Sequence, residues 1–184
     1  MAVSENGTGA PQRPSPAKYR TILADPPWRT NQVGNRGAAR YYPLMATEDI
    51  CRLKVSPLAA DDAHLWLWVT NSNLDEGIEV MEAWGFAYRS CLTWVKYGRT
   101  AGLGIYLRNQ TEQLLFGVRG SAPVLFRSQA TWFVAPRQEH SHKPEEQYAI
   151  IQRCSPDPYL ELFARRRQPG WDVWGNQVDS DVSL

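Results

Sequence analysis

Residues 19–28 read YRTILADPPW. Tyr19 to Ala24 form a short apolar run, and it stops at Asp25-Pro26-Pro27. Two successive prolines cannot continue a hydrogen-bonded ladder, so the stretch is a strand that ends in a rigid turn. In open α/β sheets ligands bind at the carboxyl ends of the strands. Asp25 therefore stands where a site is expected.

The rest of the chain alternates in the same manner. Residues 29–46 are polar, basic and glycine-bearing, a long loop of the kind that is usually functional inside a compact domain. Thr47 opens a short helix, with Glu48 and Asp49 favourably placed in its first turn. His64 to Thr70 is a strand apolar enough to be buried on both faces, with Trp66 and Trp68 in the core. Asn73 to Trp84 reads as a helix with Leu74, Ile78, Met81 and Val80 inward and Gly85 as its stop. Phe86–Tyr97, Glu112–Val118 and Thr131–Val134 read as further strands. A second loop with Gly and Arg covers 98–109, and a third, polar one covers 136–143. Pro144 begins a helix running to about Arg153. Tyr159–Phe163 is a strand followed by an Arg-rich turn, and Gly170–Trp174 is a last strand closed by Gly175. This order predicts an α/β fold, a mostly parallel sheet with helices on both faces.

The chain has 184 residues, 43% hydrophobic and 21% charged, the profile of one globular domain. That domain is expected over 18–178. Residues 1–17, rich in Gly, Pro, Ser and Thr, read as a disordered tail, and 179–184 as a C-terminal tail. No apolar run approaches the roughly 18 residues that span a bilayer, and the N-terminus carries no secretory h-region. No membrane is expected, and a cytoplasmic location follows by default. Cys51, Cys91 and Cys154 are odd in number and far apart, which excludes a disulfide framework or a C-x-x-C metal site. The net charge of +1 gives no bulk attraction to nucleic acid, but 16 of the 20 cations are Arg, whose fork suits phosphates and bases.

The Asp-Pro-Pro-Trp string has a chemical reading. An aromatic amine is a poor nucleophile because its lone pair is delocalised into the ring. Two acceptors that hold both N–H groups turn that pair out of the plane. The Asp25 carboxylate is one acceptor, and the Pro26 carbonyl, its direction fixed by the prolines Pro26 and Pro27, is the other. Trp28 offers a flat face on which an extruded base rests. A carboxylate also favours a positively charged sulfonium donor nearby.

DPPW after an apolar strand, SHKPEE at 141–146 and LELFARRRQPGWDVWGNQ at 160–177 together resemble the MT-A70 family of adenine-N6 methyltransferases. The resemblance runs from about Tyr19 to Val178. It implies a Rossmann-like methyltransferase fold of permuted motif order, in which the catalytic strand precedes the cofactor-binding one. It implies S-adenosylmethionine as cofactor and explains why no G-x-G-x-x-G is present. Residue by residue, it implies catalytic roles for Asp25, Pro26, Pro27 and Trp28. Lys143 then pairs with the cofactor carboxylate, Glu161 accepts from its ribose, and Phe163 and Arg165 line it beside a small Ala164. Asn176 and Gln177 contact ribose and adenine, and Asp25 faces the sulfonium. Larger members contribute an acidic residue to the adenine pocket from a segment ahead of the catalytic strand. No residues before Tyr19 match it.

Nucleic acid is the expected partner, DNA in preference to RNA, with a like or unlike dimer partner or a separate target-recognition subunit compatible with the chain. Arg29, Arg36, Arg40 and Tyr41 in the first loop are the candidate substrate contacts, with Arg99 and Arg108 in the second. His140 and His142 are too sparse for a metal site, and transfer from a sulfonium needs none. Three alternatives stay open from sequence: an RNA enzyme, a catalytically silent scaffold of the same fold, and methylation of a small molecule or protein amide.

Overall fold

The apolar run at Tyr19–Ala24 becomes strand β1, an inner strand of a seven-stranded sheet, between β2 and β6. The computed structural model describes residues 17–29, 44–98, 106–137 and 142–184. After β1 come α1 (Thr47–Cys51), a 3-10 turn (Ser56–Leu58), β2 (Ala59–Val69), α2 (Leu74–Ala83), β3 (Ala87–Tyr97) and β4 (Thr111–Arg119). β5 (Trp132–Pro136), α3 (Glu146–Cys154), β6 (Tyr159–Leu162) and β7 (Trp171–Trp174) complete the order.

Across the sheet the strands stand as β5-β3-β4-β2-β1-β6-β7. β1 pairs in parallel with β2 and β6, β6 with β7, and β3 with β5. β4 is antiparallel to both β2 and β3, so among the described strands it alone is reversed. The expected α/β class holds, as a mixed sheet that is mostly parallel.

Both faces of the central strands are covered, which is why β1 and β2 read as apolar runs and not as alternating ones. Ile22, Ala24, Leu65, Leu67 and Val69 face α1 and α2, against Ile50, Val80, Met81 and Trp84. Leu23, Trp66, Trp68 and Trp94 face α3, against Tyr148, Ile151 and Cys154. Trp66 donates its indole N–H to Ser155 Oγ at 2.9 Å, and Trp68 to Gln147 Oε1 at 2.7 Å. These tryptophans are core, as expected, and their one polar atom is satisfied there.

The helix expected at Asn73–Trp84 forms, but it turns a different face inward. Leu74 and Ile78 are exposed at 38% and 36%, while Gly77, Val80 and Met81 are buried. Gly77 decides this. A Cβ there would lie 2.5 Å from Val69 Cγ1 and 2.9 Å from Leu115 Cδ1. The helix therefore rests on its glycine, close against the sheet, and the stripe through 77, 80, 81 and 84 is the inner one.

Two boundaries also differ from the sequence reading. β2 begins at Ala59, five residues before His64, because Tyr19 pairs with Ala59 and Asp62 accepts from the Ser121 N–H at 2.6 Å. Residues 179–184 are not a free tail. Asp181 exchanges hydrogen bonds with the Val173 backbone and pairs with Arg167 at 3.0 Å, while Val182 and Leu184 pack on the α1/α2 core. The expected N-terminal tail falls almost wholly on residues outside those described. Among the described residues no helix is long and apolar enough to cross a membrane.

Candidate active site

Side chains alternate along a strand, so Asp25 emerges from β1 on the same face as Leu23, toward α3. Glu161 is the register partner of Leu23 on β6 and shares that face. The turn after Asp25 is locked by its backbone. Pro26 carbonyl accepts from the Trp28 N–H at 2.9 Å, and Pro27 carbonyl accepts from the Met45 N–H at 2.8 Å. A carbonyl oxygen has two lone pairs, so Pro26 keeps one to offer.

A cavity of about 380 Å³ opens over this edge, lined by Asp25, Lys143, Glu161, Phe163, Arg165 and Gln177 together with Trp68, His142 and Tyr148. A second, of about 300 Å³, adjoins it across Asp25, Phe163, Arg165 and Gln177 and adds Pro27, Met45, Trp174, Gly175 and Asn176. Every residue expected to hold the cofactor thus borders one continuous crevice. The far wall depends on close backbone approach. Ala164 N–H donates to Trp174 carbonyl at 2.9 Å, and a Cβ on Gly175 would fall 2.1 Å from Ala164 O.

From the crevice residues Asp25 and Lys143 a chain of charge runs to β4 and β3. Lys143 Nζ donates to both oxygens of Asp25 at 2.7 Å, and lies 3.4 Å from Glu112 Oε2. Glu112 in turn pairs with Lys96. The four side chains are only 12–26% exposed. Burial alone pushes the Glu112 carboxyl up, but Lys143 and Lys96 together outweigh it and hold Glu112 below the usual carboxylate range. Burial pulls the Lys96 ammonium down against the support of Glu112. Glu161 is the opposite case. Burial pushes its carboxyl up to about 7, with the Asp25 charge adding to the rise and the hydrogen bond from Tyr148 at 2.9 Å opposing it. The Tyr148 phenol is itself pushed well up, by burial first and then by Glu161, and stays a donor.

Trp28 is not where the sequence reading put it. The ring is 6% exposed, belongs to the α1/α2 core, and donates Nε1–H to Trp68 carbonyl at 2.8 Å. Too little face is left for a base to stack on, because the turn drives the indole down between β1 and β2. Arg29 and Arg108 are exposed. Arg36, Arg40, Tyr41, Arg99 and His140 lie outside the described residues.

Sequence reasoning missed Glu112 and Lys96. Carboxyl ends of strands mark where a ligand is expected, but β4 is reversed, so its first residues, and not its last, reach the edge that carries Asp25. A charged residue opening an otherwise apolar run, TEQLLFGV, was the one local signal.

Strand order and crevice define the class first: a Rossmann-like methyltransferase fold with its crevice at the ends of β1 and β6, beside the point where the chain's connections diverge. Residues 19–177 match the MT-A70 family. The N(6)-adenosine-methyltransferase subunit METTL3 of Danio rerio is 34% identical over 172 residues, 88% of this chain and 28% of that protein. The catalytic subunit METTL3 of Homo sapiens is likewise 34% identical, with the same coverage of each chain. The type II methyltransferase M.MunI of Mycoplasma sp is 31% identical over 201 residues, 95% of this chain and 84% of that protein. This chain belongs to the MT-A70 family. It spans less than a third of the length of the METTL3 relatives.

Proposed function

We propose that this chain transfers a methyl group from S-adenosylmethionine to the N6 amine of adenine in nucleic acid. The observation that carries the reading is the meeting of Asp25, Lys143, Glu161, Phe163, Arg165, Asn176 and Gln177 around one crevice, drawn from both ends of the chain. The donor set fits the cofactor. Lys143 is a cation for its carboxylate, Glu161 an acceptor for ribose hydroxyls, and Asn176 and Gln177 are amides able both to donate and to accept at an adenine edge. The adjoining volumes are of the size that small-molecule sites occupy, roughly 300–1,000 Å³. When bound, the cofactor supplies an electrophilic methyl on a sulfonium.

The protein's own contribution is alignment and electrostatics. Asp25 Oδ and the Pro26 carbonyl take the two N–H groups of the amine, which frees its lone pair from the ring. The carboxylate then stabilises the cationic amine as it forms, and receives or passes on its proton. Pro26 and Pro27 fix the acceptor geometry beforehand. Trp28, buried beneath, acts as a positioning residue that holds the turn to the end of β2. Arg29 and Arg108, with Arg36, Arg40, Tyr41 and Arg99, are the proposed phosphate and base contacts.

DNA is the polymer we favour. The match to a bacterial type II methyltransferase over 84% of its length supports it. RNA is the second reading, favoured by the likeness to proteins named for N(6)-adenosine. The test is nucleoside mass spectrometry on DNA and RNA incubated separately with the protein and isotopically labelled cofactor. Label on N6 of deoxyadenosine supports DNA, and label on adenosine alone replaces it with RNA. No labelled purine from either polymer sinks the proposal, and so does label on another atom.

A further inference from the structure

The geometry points to Glu112 as a positioning residue that shares Lys143 with Asp25 and takes that lysine over when Asp25 engages the amine. The inference rests on the function proposed above and extends it to a residue outside the family motif string.

Two carboxylates flank one ammonium. Asp25 receives it through both oxygens at 2.7 Å, and Glu112 stands at 3.4 Å on the other side. Coulomb attraction falls only as the inverse of distance, so the two pulls are of the same order. With Lys143 drawn onto both oxygens, Asp25 is a weaker acceptor for a neutral amine. Catalysis needs that ammonium to move aside without leaving the site unbalanced.

Glu112 is built to receive it. It lies on β4, paired across the sheet with Trp94, and Lys96 grips its other oxygen. Lys96 is itself seated 4.7 Å from the Trp94 ring centroid, on the same strand face. Glu112 is therefore fixed. Lys143 precedes Pro144 outside any helix or strand, so the lysine is the member that shifts. Its ring neighbour Trp68, 5.3 Å away, is a wall along which the ammonium remains favoured. Two cations and two anions stay together in both positions. Glu112 is held ionised throughout by its two lysines, in spite of its burial.

The test is Glu112→Gln, which keeps the shape and removes the charge. Of the two carboxylates only Asp25 then still draws Lys143, and kcat for methyl transfer falls by on the order of tenfold or more. Affinity for S-adenosylhomocysteine, measured by calorimetry, moves the other way and rises by about three- to tenfold. The lost anion had opposed the carboxylate that Lys143 attracts. Simple structural damage lowers both quantities together, so that parallel loss overturns the inference, as does an unchanged kcat.

The double variant Glu112→Gln/Lys96→Met restores the local charge count without restoring the second anchor. It stays slow if Glu112 acts through Lys143, and its recovery means that net charge alone matters and overturns the inference. If Glu112→Gln fails to fold, Glu112→Asp substitutes. Its shorter arm keeps a charge for Lys96 but draws back from Lys143, so kcat is expected to fall while the affinity for S-adenosylhomocysteine, which follows the local charge, stays near that of the wild type; an unchanged kcat overturns the inference. The affinity measurement needs no substrate. A wild-type protein that binds S-adenosylhomocysteine but methylates no adenine defeats the proposed function, and the binding shift still reads the role of Glu112.

Discussion

In the proposed reaction Asp25 has two duties, hydrogen-bond acceptor and charge, that a single substitution separates. Asp25→Ala removes the acceptor and should lower single-turnover methyl transfer by about a hundred- to a thousandfold, the usual cost of one preorganised electrostatic group. Asp25→Asn keeps one acceptor oxygen and loses the charge. If charge beside the amine matters, Asn is nearly as damaging as Ala, and substantial activity in Asn assigns the effect to hydrogen bonding. Asp25 also holds Lys143 in a mostly buried ion pair, so thermal unfolding should shift too, and the rates are compared at a temperature where both variants are folded. Glu161 gives a second prediction at this scale. Its folded pKa of about 7 is raised above the ordinary carboxylate value. The folded state therefore holds the proton more tightly, and stability is lost as pH rises between the unfolded value and about 7. Discounted for solvent contact, that loss is roughly 1–3 kcal/mol. Ribose binding needs the ionised form, so cofactor affinity should rise over the same range. Glu161→Gln should flatten the stability profile, raise the melting temperature at pH 8 and weaken the cofactor. A stability profile that still falls from pH 5 to 8 in the Gln variant would count against this assignment.

Among the elements, α2 and the β1 turn are the sharpest cases. Gly77→Ala gains helix propensity of about 1 kcal/mol but drives a methyl into Val69 and Leu115. Overpacking of that kind costs typically 1–3 kcal/mol, so a net loss on urea unfolding is expected. Val69→Ala should relieve it in the double variant, and strict additivity of the two losses would show that α2 does not rest there. Trp28→Ala should cost about 3–5 kcal/mol of stability, as truncating a core aromatic does. The sequence alone assigned Trp28 to stacking an extruded base. Its hydrogen bond to the end of β2 and its burial say otherwise. A variant with unchanged stability and a raised KM would return Trp28 to the surface role.

For the whole molecule, a net charge of +1 means that nucleic acid is attracted locally or hardly at all. Binding should be weak and salt-sensitive. Neutralising Arg29 or Arg108 should each lower the slope of log K against log salt by roughly 1, if each meets a phosphate. A wild-type affinity that does not change with salt rules out the loops as the electrostatic footprint.

The sequence by itself determined the order and kind of the elements, the Asp-Pro-Pro turn at the end of β1, and the identity of the crevice residues at the end of β6, in the turns after β6 and β7, and at Lys143. Those features are written locally, in apolar runs, turn residues and short strings, so they can be read along the chain. Only the tertiary structure decided that β4 runs backwards, that Gly77 sets the inner face of α2, and that the segment 179–184 straps back onto β7. It alone showed Lys143 held between Asp25 and Glu112, residues 118 and 31 positions away in sequence. Strand direction and ion pairing of this kind depend on which segments become neighbours in the sheet. That choice is made by the packing of both core layers at once, and no single stretch of the chain records it.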